Sequence, residues 1–139
     1  MLVSAFAPAA LAGRHVAVID LNEAVRATSD AQAAQQHILD QFQQSVRNLE
    51  RDTEDTPEVR RQRERLHDQI EAAQKVAIQE LGKKMMPVVE KYAKRKHYEA
   101  VLVIGDQNST VAWFEKGNDI TKEIVAEYEK TYSQRASRK

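Results

Sequence analysis

The sequence predicts an α+β protein. A small β body, made of an N-terminal strand plus a C-terminal β-hairpin and helix, carries a long antiparallel coiled-coil helical hairpin. Three observations lead there. The β-branched runs stand only near the two chain ends. Residues 23–97, between them, keep helical periodicity with a single clear break. Only four glycines and three prolines punctuate 139 residues, so the elements they separate are long.

Residues 15–21, HVAVIDL, form a compact β-branched run suited to a buried strand. Asn22 follows as the expected N-cap, with Glu23 where the helix dipole favours an anion. From there to Thr53 no glycine or proline intervenes. Leu39, Phe42, Val46 and Leu49 recur at heptad spacing and form the expected seam. Six glutamines between positions 32 and 44 make the rest of that helix wet.

Thr53 to Pro57 breaks the pattern, and Thr56 with Pro57 reads as a cap followed by a first-turn proline. A second helix runs to about His97, with Leu66 and Ile70 opening its seam. At 1.5 Å per residue the two helices measure roughly 48 Å and 60 Å. Joined by so short a break, they fold back on each other. Gly82 and Pro87 mark the place where the arm is expected to bend into the body, because an interior proline removes a hydrogen bond.

Beyond the arm the period changes. Residues 100–104 (AVLVI) and 110–114 (TVAWF) read as two strands of a hairpin around the turn-rich GDQNS. Asn118-Asp119 then caps a last helix with Ile120, Ile124, Val125 and Tyr128 on one face. The polar, basic stretch from Gln134 to Lys139 is expected to fray.

The chain thus divides into residues 1–12, residues 13–22 with 98–139 as a discontinuous oligomerisation body, and residues 23–97 as the arm. Residues 1–12 carry no charged side chain and end in Ala10-Leu11-Ala12, the small-x-small signature of a cleaved export leader. Three strands and one helix make a core too small to stand alone, and its sheet edges stay unpaired. Joining several copies through Val16, Val18, Leu102, Ile104, Val111 and Trp113 solves both problems.

Some functions are excluded by composition. Lys+Arg and Asp+Glu both number 21, so the chain lacks the basic excess of a general nucleic-acid binder. With no cysteine there is no disulfide framework, thiol catalysis or cysteine zinc site. No P-loop, nucleophile-elbow or zincin motif occurs. His15, His37, His67 and His97 are spread along the chain, and only His37 and His67 are expected to fall level on the hairpin, too few for a metal site. Asp20 and Asp106 end strands at one rim, where turn capping is the expected task.

VAVIDLNEAV at 16–25, the polar hairpin, and YEAVLVIGDQNSTVAWFEKGNDITKEIV at 98–125 together resemble the Skp/OmpH family of periplasmic chaperones. The resemblance is specific at the two ends, since any charged hairpin would match the middle. It implies a homotrimer whose strands build a central body. Arms reach from that body around a cavity holding unfolded outer-membrane proteins, with no cofactor and no ATP.

Lys83, Lys84, Lys91, Lys94, Arg95 and Lys96 face only Glu90 within residues 83–97, a local excess of five positive charges. This shoulder suits client or anionic-lipid contacts, and equally an ordinary solvated helix face. Leu39, Phe42, Val46, Leu49, Leu66 and Ile70 are interhelical seam first, and the thinness of that stripe suits weak multi-point holding. The expected function is an ATP-independent periplasmic holdase. A structural coiled-coil scaffold of the cell envelope is the alternative.

Overall fold

The computed structural model describes residues 16–136. The expected leader, residues 1–12, lies outside them. Strand β1, Val16–Asp20, leads directly into a short helix α1, Leu21–Arg26. Helix α2, Ser29–Arg51, and helix α3, Pro57–Arg95, form the arm. Strand β2, Ala100–Ile104, a single 3-10 turn at Lys116–Asn118 and helix α4, Thr121–Ala136, complete the chain. Helix α4 therefore extends into the tail that was expected to fray.

The two strands pair in parallel, with Val18 opposite Leu102 and Asp20 opposite Ile104. Parallel neighbours require a crossover, and here the whole arm is that crossover. On its other flank β1 bridges to Asp119, and the Ile120 amide donates to the Val18 carbonyl at 2.9 Å. So β1 is central, and β2 is the open edge among the described residues.

The expected strand at residues 110–114 does not form. Alternating apolar residues specify a pleated surface but not the ladder it joins. Within this chain β1 already lies between β2 and residues 119–120, and the segment leaving β2 carries the chain across to that far flank. Gly105 starts the departure at φ 85°, and the Asp106 carboxylate accepts from the Asn108 amide at 2.9 Å.

The first long helix is also not continuous. Asp20, rather than Asn22, caps α1, its carboxylate accepting from the Glu23 amide at 2.9 Å. At Ala27-Thr28 the chain leaves the helix, and Thr28 recaps it by accepting from the Ala31 amide. The Thr28 hydroxyl is fully buried and itself donates to the Val25 carbonyl at 2.7 Å, which makes the interruption cheap. At the other end of the arm Thr56 caps α3 with Pro57 in its first turn, the arrangement its residue types require.

Helix α3 runs unbroken through Gly82 and Pro87, so the expected bend does not interrupt it. The core explains why. Met85, Val88, Val89 and Tyr92 of α3 are buried against Ala17 and Ile19 of β1, Ala24 and Val25 of α1, Ile120 just before α4, and Ile124 and Tyr128 of α4. Each such side chain contributes about 1.5–3 kcal/mol, so the four of α3 together outweigh the roughly 3 kcal/mol that an interior proline costs. The expected α4 face is the one buried: Ile120, Ile124 and Tyr128 are at most 2% exposed.

Candidate functional site

Outside its core the molecule offers three surfaces with chemical potential: the body's open edge, the groove of the arm, and the basic shoulder between them.

At the edge, Val16, Leu102 and Val103 are exposed, and Trp113 is 76% exposed. Val18 is buried, while Ile104 and Val111 are half-buried. Phe114, the neighbour of Trp113, is half-buried. Unpaired apolar strand edges and large exposed aromatic side chains are both features that attract partners.

Along the arm the seam differs from the sequence reading by one position. Ile38 is 6% exposed and Leu39 is 46% exposed, so Ile38 takes the seam. Ala31, Ile38 and Phe42, spaced seven and four residues apart, follow on one stripe of α2. Phe42, Val46, Leu49, Leu66 and Ile70 are half-buried, as a two-helix seam allows. Near the body small side chains leave a groove of about 670 Å³ between the helices, lined by Ala31, Ala34, Ile38, Ala77, Ile78 and Leu81 and rimmed by Arg26, Glu71 and Lys75. Leu39 and Val76 add isolated exposed apolar contacts.

The shoulder is less basic in space than in sequence. Lys83 lies 3.2 Å from Glu80, Lys84 2.9 Å from Asp30, Lys94 2.7 Å from Glu90 and Arg95 2.7 Å from Glu127. The hydrogen bond from Lys94 lowers the Glu90 pKa, and that from Arg95 lowers the Glu127 pKa. Lys96 sits 5.9 Å from the Tyr92 ring centre. Solvent screens these exposed pairs, so the cations stay available but not unopposed.

Where arm meets body, α4 grips α2. The Tyr128 hydroxyl donates to Asp30 Oδ2 at 2.5 Å, and Lys84 Nζ donates to the same oxygen. The Tyr128 hydrogen bond, followed by that of Lys84, holds the Asp30 carboxyl below its ordinary range. Burial, then the Asp30 contact, pushes the Tyr128 phenol upward. The sequence reading missed this cluster, because its members stand 98 and 54 residues apart. Tyr128 was recognised as core, and Asp30 carried no signal beyond its place in a first turn.

The remaining sequence candidates separate. The Lys84–Asp30 contact sets a register in which His37 lies level with Ala77 and not with His67. His67 instead faces Glu71 at 3.7 Å. Asp20 and Asp106 do meet one rim, and each accepts from a backbone amide of its own turn. Among the described residues no group of three or more histidine or acidic side chains is placed to hold a metal ion. No helix among them is long and apolar enough to cross a membrane.

Residues 53–128 match the family model described as outer membrane protein (OmpH-like), which is more than half of the chain. The chain belongs to the OmpH-like family. The match runs from the arm tip through α3 and β2 into α4, and β1 and α2 lie before it. Comparison with curated proteins and with solved structures found no match. OmpH-like membership supports the coarse role of a periplasmic chaperone, with unfolded outer-membrane proteins as the kind of partner the family binds.

Proposed function

We propose that this OmpH-like chain is an ATP-independent holdase, exported to the periplasm. Copies associate through the open edge of β2 and the exposed Val16, Leu102, Val103 and Trp113. Three copies complete the body, and their arms enclose a shared cavity. Unfolded outer-membrane proteins are held there by many weak contacts and kept from aggregating.

One observation carries this reading. A two-stranded sheet with an apolar free edge sits at the root of an arm whose longer helix measures about 58 Å. Helices cover β1 within one chain, but β2 keeps a free edge with Leu102 and Val103 exposed, and such an edge supports self-association. The arm helix joins the buried core through Met85, Val88, Val89 and Tyr92, and most of its length lies before them. The groove near Ile38 and Ile78, with Leu39 and Val76 outside it, supports shallow apolar contacts with a client. Contact of the shoulder with an anionic lipid surface is the weaker companion of this reading, because four of its six cations already face carboxylates.

The test is aggregation of a urea-denatured barrel protein on dilution, followed by light scattering without nucleotide. A holdase suppresses the scattering at stoichiometric amounts. Undiminished scattering supports the scaffold reading, which the mostly polar surface of the arm favours.

A further inference from the structure

We propose that Asp30 is the positioning residue that sets the arm on the body, by gathering Lys84 of α3 and Tyr128 of α4 on one carboxylate. The proposal concerns a single chain and does not depend on the holdase reading.

The arm leaves the body through two weak points. On one limb the helix is interrupted at Ala27-Thr28. On the other, Pro87 offers no amide to the Lys83 carbonyl, one turn earlier in α3. Gly82, in the same stretch, presents no side chain to a neighbour. The Lys84–Asp30 contact fixes the antiparallel register, and counting back from it places Ala27 level with Pro87. Both limbs are therefore weakened at one height. Alone, such a joint would let the arm swing as a unit.

The cluster lies one turn beyond that height and spans it from a third side. Tyr128 is 1% exposed, and its hydroxyl donates to Asp30 Oδ2 at 2.5 Å. Lys84 donates to the same oxygen at 2.9 Å, with its ammonium 4.0 Å from the Tyr132 ring centre. The Tyr132 hydroxyl donates to the Lys84 carbonyl at 3.2 Å, next to the carbonyl that Pro87 leaves unserved. Glu129 accepts from both the amide and the hydroxyl of Ser29, at 2.7 Å each. Helix α4 thus holds the first turn of α2 and the weak turn of α3 together. Asp30 accepts hydrogen bonds from both other helices on one oxygen, and Lys84 joins the same three helices through Asp30 and Tyr132. A carboxylate accepting two donors, one charged, is stronger and more directional than a neutral contact.

Because the chain has no cysteine, a pair of introduced thiols can be labelled cleanly. Spin labels at Gln62→Cys on the arm and Gln107→Cys on the body report the intrachain distance, with labelled protein diluted into unlabelled. The parent should give one narrow distance distribution. Asp30→Asn, and more so Asp30→Asn with Tyr128→Phe, should at least double its width while helicity by circular dichroism is unchanged. Asp40→Asn, whose carboxylate accepts from Gln36 of its own helix, should leave the width as it is. An unchanged width in Asp30→Asn overturns the proposal, and so does a lowered melting temperature with the width preserved. If the double variant loses helicity, Lys84→Met replaces it, and an unchanged width there is equally fatal.

Discussion

Gly105 lies so close against the Asp20 carboxylate that a Cβ at position 105 would overlap it. The same glycine turns the chain at φ 85° where β2 ends, and Asp20 caps α1 where β1 ends. One contact therefore ties the exits of both strands. Gly105→Ala suffers the backbone cost and the clash together, and we expect a loss of roughly 1–3 kcal/mol. Urea denaturation checks this. Replacing Gly117, where a Cβ meets nothing, is the comparison that should cost less.

Trp113→Asp tests the edge. Trp113 is 76% exposed in the single chain, so its replacement should leave helicity intact. The mass by light scattering should fall to that of one copy, since a charge in the centre of an association surface goes unpaired. Retained mass would remove Trp113 from the surface.

The seam correction separates neighbours. Ile38→Ala empties a buried position and should cost about 2–4 kcal/mol. Leu39→Ala, at 46% exposure, should change stability by less than about 0.5 kcal/mol. Thermal melts of the two variants decide which of them holds the arm together.

Titration of Tyr128 gives a signed pH effect. Its folded pKa lies above its ordinary value of 10.0, mainly through burial. A group so shifted contributes stability that is complete below pH 10 and is lost as pH rises toward the folded value. Melting temperature should therefore fall above pH 10, and Tyr128→Phe should flatten that fall. Asp30 has the opposite sign: its pKa is lowered, so its contribution is present above the ordinary carboxylate value and disappears in stronger acid.

How much of this was legible in the sequence depends on what each signal encodes. Thr56-Pro57 gave the start of α3 directly, because cap and first-turn proline are local chemistry. The face of α4 followed from periodicity, and Ile120, Ile124 and Tyr128 are buried together. Periodicity failed at Leu39 because Ile38 and Leu39 stand four and three residues before Phe42, so the helical period admits either and Ile38 is the one buried. The capping residue of α1 was misplaced by two positions because Asp20 serves strand and helix at once. Strand character at residues 110–114 was read from residue type, but pairing depends on which strand stands alongside. The Asp30 cluster was invisible for a similar reason: distant helices create it, and no local pattern announces it.

The parallel pairing of β1 with β2 has a consequence for how the molecule comes into being. Val16–Asp20 is synthesised first, yet its ladder partner follows only after residues 21–99 have been made. Closing so large a loop from a coil is entropically slow. A hairpin that folds as it emerges returns its two roots to one place and shortens the search to a few residues. Lengthening or trimming that hairpin at its far turn would leave the roots where they are, so reach can vary between descendants of one ancestor while the platform beneath stays the same.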